Sequence, residues 1–89
     1  MTNYQIKIAK SAKKEISKLD DKTRNKIKEA IQHLALNPYS EILNIKKLKS
    51  LDSLFRLRVG SYRIVYHVDK NELIILVVKV GHRKEVYRL

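Results

Sequence analysis

The sequence has no cysteine and no tryptophan, two glycines and a single proline. Without cysteine there can be no disulfide, no thiolate nucleophile and no Cys-based zinc or iron–sulfur site. So little glycine and proline leaves no room for a low-complexity linker, and a chain made mostly of helix and strand is expected. The longest apolar run, Leu73 to Val78, has six residues, far short of the ~20 needed to span a bilayer. The N-terminal stretch MTNYQIKIAK lacks the apolar core of a signal peptide. A soluble, cytoplasmic protein with no membrane contact is expected. Motifs are missing too: there is no HExxH, no paired His/Asp metal spacing and no phosphate-cradling glycine loop, so neither a metal nor a cofactor is expected. Ser53 and Ser61 have no nucleophile-elbow context, which argues against serine hydrolase chemistry.

What is present is charge of one sign. Twenty Lys+Arg against nine Asp+Glu give a formal charge of +11 in a chain of 89 residues. The excess is uneven, with nine basic and five acidic residues up to position 43 and eleven against four thereafter. Self-repulsion of that size points to a polyanionic partner, nucleic acid or an acidic protein, with a merely solvated basic surface as the bland alternative. With 44% hydrophobic residues the composition is globular, and the length fits one domain over 1–89. A domain this small buries only roughly 60–65% of its unfolded surface, so a site is expected on an exposed face rather than in a deep pocket.

Residues 3–8 alternate, with Tyr4, Ile6 and Ile8 on one side, as in a half-buried strand. Ser11 is positioned to cap a helix through about Leu19. Asp20 and Asp21 mark a break and a second N-cap. Ile27, Ala30, Ile31 and Leu34 then follow helical spacing up to Asn37-Pro38, where the proline stops the helix. His33, beside that stripe, reads as structural. The segment from Tyr39 to Asp52 is irregular. Leu54–Val59 and Tyr62–Val68 flank Gly60-Ser61, a pair suited to a type II′ hairpin. Leu73–Val80, nearly all apolar, reads as a central strand covered on both faces. The order β-α-α-β-β-β implies an α+β fold, with two antiparallel helices on one face of a mostly antiparallel four-stranded sheet.

With Gly60-Ser61 as the loop, Val59 pairs with Tyr62, Leu57 with Ile64 and Phe55 with Tyr66, all on one apolar face. The other face pairs Arg58 with Arg63 and Arg56 with Val65. Two facing arginines repel; a bound phosphate or carboxylate would reverse the sign, while splaying into water would only relieve it. His67, near a strand end, reads as an ordinary sheet residue. His82 lies where the last strand stops, within a tail that also carries Arg83 and Tyr87. Imidazole, guanidinium and phenol are the groups with which RNA is cut without metal: a base takes the 2′-OH proton, a cation stabilises the phosphorane and an acid protonates the leaving oxygen. A solvated basic C-terminus is the competing reading.

Three stretches carry a resemblance: Lys46-Lys47-Leu48-Lys49; Phe55-Arg56-Leu57-Arg58-Val59-Gly60-Ser61-Tyr62-Arg63-Ile64-Val65-Tyr66; and Val80-Gly81-His82-Arg83-Lys84-Glu85-Val86-Tyr87. Together they resemble the RelE branch of the RelE/ParE toxin superfamily, over essentially the whole chain. The resemblance implies a toxin of a type II toxin–antitoxin pair: a metal-independent endoribonuclease that cleaves messenger RNA in the ribosomal A site through 2′-OH attack. It implies that Arg63 contacts the phosphate, Arg83 stabilises the transition state or protonates the leaving oxygen, and Tyr87 stacks on or orients the nucleotide. The family pattern has two lysines where this chain has Leu54 and Arg56. Arg56 keeps the charge but is a poor proton acceptor, so His82 is the expected replacement base. Lys46, Lys47, Lys49, Arg58 and Lys84 are expected to bind RNA and the ribosome, 16S ribosomal RNA included. The implied protein partner is an acidic RelB-like antitoxin in a hetero-oligomer. The alternative is a ParE-like toxin that inhibits gyrase by binding, without nuclease activity.

Overall fold

Alternation of apolar and polar residues sets a strand, β1, at Gln5–Ile8. The computed structural model describes residues 3–40, 43–48 and 53–82, and in it Tyr4, Ile6 and Ile8 pack against the core. The chain passes at once into α1, Lys10–Ser17. Ala9 rather than Ser11 is the N-cap, and no side chain caps this helix. The reason lies in the sheet: Ala9 N–H still donates to Val77 O at 2.8 Å, so the last strand bond fixes where the helix begins. The second helix, α2, runs Asp21–Leu36 and starts as its sequence suggests. Asp20 caps it, accepting from Thr23 N–H at 3.4 Å. Hydrogen bonding from the Thr23 hydroxyl, and then from its backbone N–H, lowers the Asp20 carboxyl from its ordinary value. Asn37, ahead of the proline, is extended (φ −157, ψ 100) and closes the helix. His33 is exposed and takes part through its carbonyl, which accepts from Asn37 N–H at 3.1 Å.

The remaining strands are β2 (Ile45–Lys47), β3 (Leu54–Val59), β4 (Tyr62–Asp69) and β5 (Ile74–His82). They form a five-stranded sheet in the order β1-β5-β4-β3-β2, with β1 parallel to β5 and the other pairs antiparallel. The expected four strands become five because Ile45–Lys47 pairs along the outer edge of β3. Three residues are too few to show alternation, so this strand had no sequence signal. The hairpin has the expected register, and Gly60 takes the positive φ (58°) that a type II′ turn requires at its first position.

Ala12 and Ile16 of α1 and Ile27, Ala30, Ile31 and Leu34 of α2 meet Leu57, Ile64, Tyr66, Val68, Ile75, Val77 and Val80 in one core. Covered on both faces, however, is β4 rather than β5. It is the middle strand of the five and buries the consecutive residues Arg63, Ile64, Val65 and Tyr66. β5 has β1 beside it for only four residues, and Leu76 and Val78 stay half-buried. Tyr66 anchors the loop after α2: its hydroxyl donates to Pro38 O at 2.7 Å and its ring stacks on Phe55 at 5.7 Å. Burial pushes its phenol far above the ordinary tyrosine value. Among the described residues, no helix is long and apolar enough to cross a membrane.

Candidate nucleic-acid interface

The helices cover one face of the sheet; the cations collect on the other. Cross-strand partners share a face. One row therefore runs Lys46, Arg56, Val65, and the next runs Arg58, Arg63, Gly81. Four of those positions are cationic. In the described strands the only carboxylate is Asp69, at the far end of β4. Its Oδ1 is already taken up by Asn71 N–H and Glu72 N–H at 3.0 Å each.

The facing arginines resolve their repulsion unequally. Arg58 is exposed, Arg56 half-buried, and Arg63 only 2% exposed. Arg63 Nη1 donates to Tyr62 O at 3.3 Å. The alternative in which both arginines splay into water does not hold for Arg63, which is enclosed beside Val65 on this face. A cation held away from bulk water acts on a nearby anion through a lower dielectric, which strengthens its pull.

Lys46 is exposed on the arginine face, but Lys47 is not its neighbour in function. Strand alternation pairs Lys47 with Phe55 on the helix side, where it lines a hollow with Tyr39, Ser40, Leu43, Ile45 and Phe55. His82, exposed at the end of β5, pairs with Tyr62, its ring edge-on at 5.8 Å and 75°. By register it stands on the helix side, and Gly81 is the residue opposite Arg63. Thus the structure joins Arg56, Arg58, Arg63 and Lys46 while keeping Lys47 and His82 to the other face. Lys49, Arg83, Lys84 and Tyr87 lie outside the described residues.

Two participants escaped sequence reasoning. His67 follows Arg63 and Val65 on the arginine face, and its Nε2 lies 2.6 Å from Ser53 Oγ. Period-two alternation from Arg63 was the available signal. Glu15, on α1, hydrogen-bonds β5 at Lys79 and Val80; its partners are more than sixty positions away, and no local pattern announces them.

The family model for the ParE toxin of type II toxin–antitoxin systems matches residues 6–87. The provisionally named toxin RelE1 of Methanocaldococcus jannaschii is 33% identical over 86 residues, covering 96% of each chain. The archaeal RelE–RelB complex of Pyrococcus horikoshii contains a chain that superposes with a TM-score of 0.80 at 29% identity, covering 93% of this chain and 97% of that one. A mutant of Escherichia coli toxin RelE in the free state gives a TM-score of 0.80 at 28% identity, covering 97% and 92%. With the matched region spanning nearly the whole fold and the cationic face built on it, the chain belongs to the ParE toxin family of type II toxin–antitoxin systems and is a RelE-like toxin of the RelE/ParE superfamily.

Proposed function

We propose that this toxin is a ribosome-dependent endoribonuclease that cleaves messenger RNA in the A site. The observation that carries the reading is the sheet face turned away from α1 and α2, on which Lys46, Arg56, Arg58 and Arg63 stand in two adjacent rows. An RNA backbone is the polyanion that such rows of cations bind. In the reaction the 2′-oxygen bonds to the adjacent phosphorus, the bond to the 5′-oxygen breaks, and the products are a 2′,3′-cyclic phosphate and a 5′-hydroxyl. The 2′ proton passes to a base, and the leaving oxygen receives a proton from an acid.

Arg56 holds a phosphate oxygen from the surface, while Arg63 stabilises the dianionic phosphorane from beneath it. Arg83 and Tyr87 complete the site as transition-state cation and nucleotide platform. His82 stands on the helix side, away from the arginine rows, so the base role expected of it is not carried into this reading. Arg58, Lys46, Lys49 and Lys84 hold RNA and ribosome, while Lys47 faces the helix side. An acidic antitoxin would cover the same charge, and RelE chains of related structure are found in complex with RelB. The family model's own description, ParE, favours gyrase inhibition as the second reading.

A cell-free translation reaction with a defined messenger, mapped by primer extension, decides between them. Cleavage at codon positions that requires ribosomes and falls about a hundredfold in Arg56→Ala or Arg83→Ala is the expected result, the size set by loss of a preorganised charge. Intact messenger together with blocked DNA supercoiling by gyrase would install the second reading.

A further inference from the structure

Pairing between β4 and β5 slips once. Val65 faces Lys79 while Tyr66 faces Val77, so Val78 is an extra residue in the ladder. A bulge of this kind reverses the face on which every later side chain of the strand stands. Here it puts Val80 opposite Ile64 in the core, Gly81 opposite Arg63 and His82 opposite Tyr62. In an unslipped ladder Lys79 would fall opposite Ile64 and Val80 opposite Arg63, driving a cation into the core and a valine onto the arginine face. The slip decides what stands beside Arg63.

What holds the slip comes from the other layer of the fold. Glu15 Oε1 accepts Val80 N–H at 3.1 Å, and Oε2 pairs with Lys79 Nζ at 3.3 Å. Pairing of β1 with β5 stops at Val77, so beyond that point β5 has no strand neighbour on that side among the described residues, and the carboxylate takes the place of one. The Glu15 and Lys79 side chains are each 29% exposed, sheltered enough for the contact to persist. Ser11, Lys14, Lys18 and Val78 line the same hollow.

We propose that Glu15 is a positioning residue for cleavage: by pinning the bulge it fixes the phase in which Gly81 and His82 leave the sheet beside Arg63. This rests on the nuclease reading above. Glu15 acts on the site through β5, by its bonds to the Val80 amide and the Lys79 ammonium.

The test uses the full-length toxin, Glu15→Ala and Glu15→Gln. Single-turnover cleavage is followed on ribosomes carrying a defined messenger, beside amide hydrogen exchange read residue by residue. In Glu15→Ala the Val80 amide should exchange faster while those of Leu57 and Ile64 keep their protection. The saturated cleavage rate should fall about tenfold to a hundredfold, the scale of a small misplacement, with half-saturation changing less than twofold. Glu15→Gln, whose amide oxygen still accepts the Val80 bond, should recover most of that rate. Cleavage at the wild-type rate with Val80 unprotected would overturn the inference, as would unchanged protection of Val80 in Glu15→Ala. So would a rate loss matched by faster exchange throughout the core, which would make Glu15 structural only. If the wild-type toxin itself leaves the messenger intact, the nuclease reading falls and the positioning role falls with it. The Val80 exchange then reports separately whether Glu15 pins the bulge.

Discussion

Along β4, Ile64, Tyr66 and Val68 look into the core while Arg63, Val65 and His67 look away from the helices. Neighbouring residues thus serve different ends. Facing cations cost from a few tenths to about 1 kcal/mol per pair. Fully burying one Leu or Ile side chain contributes about 1.5–3 kcal/mol, and Leu57 and Ile64 face each other directly beneath the arginine rows. The apolar side wins, and in winning it fixes the cations. A one-residue slip of the hairpin would carry Arg56 and Arg63 into the core, so the spacing of the charges is inherited from the packing behind them.

The largest expected effect attacks that packing. Ile64→Ala, at a fully buried site, should lower unfolding stability by about 2–5 kcal/mol in urea titration. A loss below about 1 kcal/mol would mean that the apolar face does not dominate and would break the comparison. Next comes the anchor at the far end of the same face. Tyr66→Phe removes the bond to Pro38 O and should cost about 1–2 kcal/mol. It should also change the alkaline limb of stability. The folded state raises the Tyr66 pKa above its ordinary 10.0, so the neutral phenol is favoured when folded. That contribution is complete below pH 10 and is lost as pH climbs beyond it. Wild type should therefore lose stability above pH 10 more steeply than Tyr66→Phe, and parallel curves would show that the phenol is not held neutral by the fold.

Sequence patterns reached the hairpin with full register because Gly60-Ser61 pins the loop and alternation does the rest, leaving no second solution that keeps charge out of the core. They also reached α2, since Asp20 and Pro38 bracket its apolar stripe. They did not reach the phase of β5. The run Leu73–Val78 is apolar at every position, so it carries no parity, and the bulge at Val78 is stabilised by a residue on α1. Its place in the sequence therefore suggests that His82 joins the arginines, whereas it stands behind them. Lys46 and Lys47 are adjacent in a basic run, yet pairing with β3 sends them to opposite sides. Contacts made through the chain's neighbours in sequence were legible, and those made across sixty residues were not.

The smallest effect on stability should bring one of the sharpest effects on binding. Arg58 is exposed and faces the buried Arg63, so Arg58→Ala removes a repulsion and little packing. Its unfolding free energy should stay within about 0.5 kcal/mol of wild type. Ribosome affinity, measured across a series of salt concentrations, should weaken, and the slope of log affinity against log salt should fall by about one, the signature of a lost phosphate contact. An unchanged slope would make Arg58 a solvated side chain, and the cationic surface would then begin at Arg56. A slope reduced together with a large loss of stability would instead show that the arginine face helps to hold the fold, so that the division of labour along β4 would not stand.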